Sequence, residues 1–392
     1  MTTINDFYDA MRILKEVRSE LINTYLETGE FPEELVSSIG SIQQELKNLP
    51  KNEDYYILRT KTHDTLAIEL DYELNELEKD SCLFNDGIEG VEFFLRENHS
   101  RFDEEVKKGL SFLNDKTFEY FFTDRDGTIS NYCGRYLSSV QGVANAVMLN
   151  KFSQKIADKR VIITAAPLLK GGLTEVSIQP GEFILAGSKG REFLDEDGKY
   201  YALPIEAEKQ SMLYALYNAL EELLKRKEYS IFKYVGSGLQ RKFGEVALAR
   251  QNKDYSIPEE KSLDFKAKVI EHINKTDPKG NTLVLDDTGK DLEINLSFDN
   301  NKGKDFNKGN GIGFITETLN LDLKNKHVLI CGDTFSDVSM LSVAQELGAH
   351  LSTIFVTEND DLKQKVSSIV DNAFFVSSPD VLVYALYKHA TN

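Results

Sequence analysis

The sequence of 392 residues predicts a parallel α/β core that is interrupted by an inserted α+β domain and preceded by an all-helical domain. Three observations support this fold class. Apolar residues recur at helical spacing over 1–116, and short apolar runs alternate with helical patterns over 117–192 and 300–392. Residues 193–299 follow the different order αββαββ. Strands that alternate with helices are typical of a parallel sheet covered on both faces.

The first 116 residues carry two amphipathic helical patterns. Apolar residues lie three or four apart from Ile4 to Leu21 and again from Leu35 to Leu46, with a break at Pro32. The stretch from Tyr56 to Leu77 continues in a similar style with little strand signal. The pattern predicts a helical packing or oligomerisation module.

The first half of the core begins after Thr117. Residues 118–123 form an apolar, aromatic run that favours a buried strand. A helix with an apolar face from Val140 to Ile156 follows, and then strands near 160–164 and 183–186. This strand–helix–strand order predicts neighbouring parallel strands.

The insertion is predicted to contain two αββ units. Helices fit 205–226 and 260–274, and strands fit 230–235, 243–250, 282–286 and 292–298.

The parallel pattern then returns, with strands near 327–331, 350–355 and 373–376 and helices near 311–320, 336, 360–369 and 379–390. One α/β domain is therefore expected to carry an inserted cap.

Composition excludes several classes of partner. The chain has 46 basic and 64 acidic residues, a net charge of −18, without a long basic cluster, which argues against nucleic acid and anionic membranes. It has no apolar run of about 18 residues and no signal-peptide pattern at its start. Three scattered cysteines fit a reducing cytoplasm. We therefore expect a cytoplasmic protein.

Two acidic pairs follow two of the apolar strands. Asp124 and Asp126 come after the strand at 118–123, and Asp333 and Asp337 come after the strand at 327–331. Ligands of open α/β sheets bind at the carboxyl ends of the strands, and residues two apart in an extended segment point the same way. Close carboxylates repel one another unless a cation or a shared proton relieves them, which favours Mg²⁺.

Two further side chains extend this set. Thr164 ends the strand at 160–164 and offers a hydroxyl donor for a phosphate oxygen. Lys308 precedes a predicted helix and offers a positive charge for a phosphate or a carboxylate, with Lys302 and Lys304 as alternatives.

This ordered set resembles the haloacid dehalogenase (HAD) superfamily of phosphotransferases over residues 117–392. Its DxDGT motif is matched from Asp124 to Thr128, and its GDxxxD motif from Gly332 to Asp337. Thr164 and Lys308 match the two motifs between them. The inserted domain resembles the type-two cap of sugar phosphatases, and residues 186–192 resemble the Gly-x-His-Gly-x-Glu run of trehalose-6-phosphate phosphatases. The sequence departs from these patterns at Arg125, where an apolar residue is usual, and at Lys189, where histidine is expected.

The resemblance implies an aspartyl-phosphate mechanism. Asp124 would be the nucleophile, and Asp126 would be the general acid and base. Thr164, Lys308 and the Gly127 amide would bind the phosphoryl oxygens.

The resemblance also implies a metal and a substrate site. Mg²⁺ would be bound by Asp124, the main-chain carbonyl of Asp126 and Asp333, with Asp337 as a further ligand or support. The cap would select the substrate, and the candidate residues are Lys189, Arg191, Glu192, Arg241, Lys242 and Glu245.

Three functions remain open at this point. The first is Mg²⁺-dependent hydrolysis of trehalose 6-phosphate to trehalose. The second is hydrolysis of another phosphorylated sugar or glycoside, of the sucrose-phosphate or mannosyl-phosphoglycerate type. The third is a binding or regulatory protein on a HAD fold that has lost catalysis. The helical domain is expected to mediate a homo-oligomer or to bind a synthase.

Overall fold

The computed structural model describes residues 1–60, 65–178, 183–252, 255–297 and 306–392. No helix in these ranges is long and apolar enough to cross a membrane. The chain forms a helical N-terminal domain, an α/β core and an inserted cap.

Among its described residues, 1–60 and 65–113, the N-terminal domain contains four helices and a small sheet. The elements are α1 (Ile4–Thr28), α2 (Glu33–Lys47), β1 (Lys51–Asn52), β2 (Tyr55–Arg59), β3 (Thr65–Ile68), α3 (Asp71–Asn98) and α4 (Phe102–Leu113). The helices confirm the predicted helical domain. The expectation that the domain is all helical was wrong, because β1, β2 and β3 form a three-stranded antiparallel sheet. Buried Tyr56, Leu58, Leu66 and Ile68 alternate with more exposed residues, which is the period of a strand.

The first half of the core supplies β4 (Phe118–Thr123), α5 (Val143–Ser153), β5 (Ile156–Ile163), α6 (Leu173–Val176), β6 (Ile184–Gly187), β7 (Glu192–Leu194) and β8 (Tyr200–Ala202). The apolar pattern placed Ile156 on the preceding helix, but in the structure Ile156 is the first residue of β5. Strands β7 and β8 extend the core sheet beyond residue 192, where the sequence interpretation ended the first core segment.

The cap has the predicted αββαββ order. Its elements are α7 (Ala207–Leu223), β9 (Leu239–Lys242), β10 (Glu245–Ala249), α8 (Glu259–Thr276), β11 (Leu283–Asp287) and β12 (Asp291–Leu296). The four strands form an antiparallel sheet in the order β11-β12-β10-β9. The strand expected at 230–235 was wrong, since Ser230–Lys233 is a 3₁₀ helix whose Phe232 stacks on Phe265 of α8.

The second half of the core supplies α9 (Lys308–Leu319), β13 (His327–Gly332), α10 (Val338–Glu346), β14 (His350–Val356), α11 (Asp360–Ser367), β15 (Ala373–Val376) and α12 (Pro379–Thr391). The core sheet has the order β15-β14-β13-β4-β5-β6-β7-β8, and it is parallel from β15 to β6. Because β4 and β13 are parallel neighbours, the loops that follow them leave the same edge of the sheet.

Candidate active site

The two acidic loops meet at the carboxyl ends of β4 and β13. Thr123 pairs with Cys331 in the sheet, and the Asp124 amide donates to the Cys331 carbonyl at 3.0 Å. One carboxylate oxygen from each of Asp124, Asp333 and Asp337 lies within 4.8 Å of the others. The structure thus brings together three of the acids that the sequence singled out.

Lys308 lies between two of these carboxylates. It is the first residue of α9, and the helix start is fixed by Asn307, whose side chain accepts from the Asn310 amide at 3.0 Å. The Lys308 ammonium contacts Asp124 Oδ1 and donates to Asp337 Oδ1 at 2.6 Å. Burial would lower the pKa of Lys308, but the two carboxylates raise it. The alternatives Lys302 and Lys304 lie outside the described residues.

Asp337 shapes the loop that carries Asp333. Its Oδ2 accepts from the Asp333 amide at 3.0 Å and from the Thr334 amide at 2.9 Å. Burial would raise the pKa of Asp337, but Lys308 and these amides hold it below its ordinary value. A Cβ on Gly332 would lie 2.5 Å from the Asp337 Cβ, so glycine is needed for this close turn.

The cluster has the electrostatics of a site for a hard divalent cation. Burial raises the pKa of Asp124 to about 7. The pKa of Asp333 is raised to about 9, mainly by burial and then by the charges of Asp124 and Asp337. Asp124 and Asp333 therefore hold protons more tightly than usual when no cation is bound. If all three carboxylates ionise, their charge exceeds that of Lys308, and a hard divalent cation such as Mg²⁺ would offset the excess through oxygen ligands. The residues fit the metal that the resemblance implies.

Gly127 brings the two loops together but does not offer its amide to a ligand. It has a φ of +89°, and a Cβ there would lie 2.3 Å from Asp333 Oδ2. Its amide donates to the Ser130 carbonyl at 2.8 Å. The expected phosphoryl contact of this amide is corrected accordingly, because the loop after Asp126 closes on itself.

The Asp126 carboxylate lies between two donors. Its Oδ1 contacts Arg125 Nη1, and its Oδ2 accepts from Thr164 Oγ1 at 3.4 Å. The guanidinium of Arg125 also donates to Ser139 Oγ at 3.1 Å and to the Ser139 carbonyl. Arg125 is only 2 % exposed, so the unusual residue of the DxD motif is an internal partner of Asp126.

The cap sheet contributes a polar face centred on Glu245. The Glu245 side chain is buried, and Lys242 Nζ donates to its Oε1 at 2.5 Å. Lys189 Nζ lies 3.3 Å and Arg191 Nη1 3.6 Å from Glu245 Oε2. Burial would raise the pKa of Glu245, but the two lysines and Arg191 lower it. Four of the predicted substrate residues are thus in one cluster, which joins the core to the cap.

Sequence reasoning missed three polar residues on the same face. Asp291, Glu293 and Asn295 alternate along β12 with Leu292, Ile294 and Leu296, which pack against the cap helices. Glu293 Oε2 lies 3.6 Å from Lys189 Nζ. Asn295 Oδ1 is buried and accepts no hydrogen bond from any described residue. The period-two pattern of β12 was visible in the sequence and could have identified them.

Tyr132 was also missed, and its side chain is 65 % exposed. Partial burial raises the pKa of the Tyr132 hydroxyl, and the charges of Asp291 on the cap and Asp126 on the core raise it further. Nothing in the sequence of the loop after the DxDGT motif indicates that Tyr132 is influenced by these two carboxylates.

Two predicted substrate residues have other partners. Glu192 Oε1 accepts from Ser188 Oγ at 2.8 Å and from the Leu168 amide at 3.2 Å, while Oε2 accepts from the Tyr200 hydroxyl at 3.1 Å. Arg241 lies over the rings of Tyr214 and Tyr217, at 5.4 and 5.8 Å, beside a groove of about 820 Å³. Because it alternates with Lys242 on β9, it leaves the sheet on the face opposite Glu245.

Both parts of the chain match known family models. Residues 121–382 match the model described as trehalose-6-phosphate phosphatase, C-terminal. Residues 3–114 match the model described as trehalose-6-phosphate phosphatase N-terminal helical bundle domain.

Individual relatives fall in two groups. A trehalose-phosphatase of Caenorhabditis elegans is 29% identical over 97% of this chain and 94% of its own length. An alpha,alpha-trehalose-phosphate synthase (UDP-forming) 1 of the same organism is 31% identical over 98% of this chain, which spans only 31% of that relative. Among solved structures, trehalose-6-phosphate phosphatase of Aspergillus fumigatus has a TM-score of 0.41 and 16% identity, covering 74% of this chain and 98% of its own.

Proposed function

This chain belongs to the trehalose-6-phosphate phosphatase family, and we propose that it hydrolyses trehalose 6-phosphate to trehalose and phosphate with Mg²⁺. The observation that carries the proposal is the buried contact of Lys308 with Asp124, next to Asp333 and Asp337. A nucleophilic carboxylate, a cation beside it and a site for a second cation are what phosphoryl transfer through an aspartate requires.

In the first step Asp124 attacks the phosphorus and the bond to the sugar oxygen breaks. Asp126 gives its proton to that oxygen, so trehalose leaves as a neutral alcohol. In the second step Asp126 takes a proton from water, which attacks the phosphorus and releases Asp124. Lys308 and Thr164 would bind the non-bridging phosphoryl oxygens through both steps.

Asp124, the Asp126 main-chain carbonyl and Asp333 would bind Mg²⁺, and Asp337 would keep the Asp333 loop in place. When bound, the ion offsets phosphoryl charge and orients the phosphate for in-line attack. The excess of buried carboxylates over Lys308 supports this assignment.

The polar face of the cap would bind the disaccharide. Sugar hydroxyls both donate and accept, and the face offers carboxylates, lysines and an amide oxygen. Glu245, Lys189, Arg191 and Lys242 form its charged centre, and Asn295 Oδ1 is a buried acceptor without a donor among the described residues. These contacts support Glu245 and its neighbours over Glu192 and Arg241 as sugar-binding residues.

We propose that the helical domain either forms a homo-oligomer or binds a synthase. A relative named as a trehalose-phosphate synthase contains a region similar to this chain, which spans 31% of that relative's length, and this supports a synthase as the partner. A cytoplasmic location remains a prediction of the sequence.

The direct test is phosphate release from trehalose 6-phosphate with Mg²⁺, with EDTA as the control. Sucrose 6-phosphate, mannosyl-3-phosphoglycerate and glucose 6-phosphate serve as competing substrates. We expect EDTA-sensitive release that is fastest with trehalose 6-phosphate. Faster release from another ester would move the proposal to that sugar, and no release from any ester would favour a binding protein.

A further inference from the structure

One buried turn contacts both the catalytic loop and the N-terminal domain through two successive carbonyl groups. The Ser139 carbonyl accepts from Arg125 Nη2. The next carbonyl, that of Val140, accepts from Arg18 Nη1 at 3.0 Å and from the Tyr72 hydroxyl at 3.3 Å. Arg18 lies on α1 and Tyr72 on α3, so adjacent peptide groups link the two domains.

On the catalytic side, the linkage ends on the general acid. The Arg125 guanidinium contacts Asp126 Oδ1 with the same nitrogen that donates to Ser139 Oγ at 3.1 Å. It also lies 5.8 Å from the centre of the Tyr136 ring. A planar guanidinium with several fixed donors orients a carboxylate in a way that a single ammonium does not.

Two side chains of the N-terminal domain, Arg18 and Asp80, bind the main chain of the turn at Val140 and just after it at Ala144. Arg18 Nε donates to Asp80 Oδ2 at 2.8 Å, and Asp80 Oδ1 accepts from the Ala144 amide at 3.0 Å, at the start of α5. Arg18 is 1 % exposed and Asp80 is fully buried, so water does not readily replace these contacts.

We propose that the N-terminal helical domain positions Asp126 through this turn, and that Arg125 is the positioning residue that transmits the contact. The inference rests on the proposed function, because it takes Asp126 to be the proton donor to the leaving sugar. It explains why arginine stands between the two aspartates where an apolar residue is usual: the side chain has partners outside the phosphoryl site.

The chemistry gives this inference a selective readout. An alkyl oxygen leaves poorly unless Asp126 protonates it, whereas p-nitrophenolate is a stable anion that leaves without a proton. Misplacing Asp126 should therefore slow the first step with a sugar phosphate and spare it with p-nitrophenyl phosphate. General damage to the fold would slow both.

The experiment compares single-turnover rates of the full chain with the two kinds of ester. Arg125→Leu should slow the sugar phosphate by about 100-fold, the loss expected for a displacement of about 1 Å, with little change in the first release of nitrophenol. Arg125→Lys should be impaired in the same direction, since a single nitrogen cannot occupy the two positions from which Nη1 contacts Asp126 and Nη2 donates to the Ser139 carbonyl. Preserved activity in Arg125→Lys would show that charge alone suffices and would contradict the inference.

The contribution of the helical domain is tested by a double-mutant cycle. Arg18→Met should show a smaller loss of the same selective kind, and the Arg18→Met/Arg125→Leu double variant should be no slower than Arg125→Leu alone. If the rate loss of the double variant equalled the product of the two single losses, the two residues would act independently, and this would overturn the linkage. Arg12→Gln is the matched control, since Arg12 forms an exposed pair with Glu16 on the same helix.

Tyr72→Phe keeps the test valid if Arg18→Met fails to fold. It removes one hydroxyl donor to the Val140 carbonyl, and we expect a roughly threefold selective loss. Equal slowing of both esters, or no slowing of either, would contradict the inference. Glucose 6-phosphate is assayed beside trehalose 6-phosphate, so failure of the disaccharide alone counts against the proposed substrate and not against the linkage. Rejection of both sugar esters by the wild-type chain would overturn both.

Discussion

Replacing Lys308 by methionine removes the ammonium group that lies between Asp124 and Asp337. Methionine nearly preserves the volume of the stem, so the change acts mainly through charge. The two carboxylates are 4 % and 0 % exposed, and they cannot recover by turning to water. Removing one partner of a buried ion pair costs about 3–5 kcal/mol of unfolding free energy, which is the loss we expect at pH 8 without metal.

The loss should depend on pH with a definite sign. Burial already raises the pKa of Asp124 to about 7, and without Lys308 it would rise further. The stability associated with a raised carboxyl pKa is present below the unfolded value and is lost as the pH rises through the folded value. The difference between variant and wild type should therefore be small near pH 5 and grow towards pH 8.

The assay is urea unfolding in EDTA at several pH values, followed by far-ultraviolet circular dichroism because the chain has no tryptophan. Lys363→Met is the control, since Lys363 forms an exposed pair with Asp360 and should cost at most about 1 kcal/mol. Equal midpoints for wild type and Lys308→Met at pH 8 would refute the buried pairing. Loss of activity in Lys302→Met but not in Lys308→Met would refute the choice of lysine.

Three further predictions concern Asp337 in the acidic cluster, Glu245 on the cap face and Glu73, a buried carboxyl group on α3 of the N-terminal domain. Asp337→Ala should retain some turnover but require about tenfold more Mg²⁺, because it releases the Asp333 loop; an unchanged Mg²⁺ titration would contradict this. Glu245→Gln should raise KM for trehalose 6-phosphate by at least tenfold and leave p-nitrophenyl phosphate hydrolysis nearly unchanged, since Glu245 centres the cap face; equal effects on both would argue against sugar binding. Burial raises the pKa of Glu73 from 4.5 to about 7, so its stability contribution falls as the pH rises through that value, and Glu73→Gln should stabilise the protein by up to about 3 kcal/mol at pH 8 and little at pH 5. A pH-independent difference in urea midpoint would contradict the Glu73 assignment.

Much of the fold could be predicted because long apolar runs and helical spacing report burial directly. The strands β4 and β13 were recognised for this reason. The sheet at β1–β3 was missed because β1 buries no residue and β2 and β3 bury only two each, too few to outweigh the helical context around them. Residues 230–235 were misassigned since Phe232 is apolar for its stacking on Phe265 and not for a strand face.

The candidate site was predictable only where reactive or metal-binding side chains directly follow an apolar strand in the sequence. Asp124, Asp333 and Asp337 were found from that order, and the sheet neighbours that unite them follow from the parallel topology. The contact of Arg125 with Ser139 was not predictable, because the two residues lie 14 positions apart, and the next carbonyl, that of Val140, is bound by Arg18 and Tyr72 of another domain. Such contacts depend on how the domains pack, which no local pattern records.

The measurement that tests the central claim most directly is acid quenching of the wild-type chain and of Asp124→Asn during turnover of trehalose 6-phosphate with Mg²⁺. Mass spectrometry of the peptide that contains Asp124 should show a phosphoryl group on the wild type. Asp124→Asn should show neither that adduct nor phosphate release, with an unchanged circular dichroism spectrum. Normal phosphate release by Asp124→Asn, or turnover with the phosphoryl group on another residue, would contradict the account.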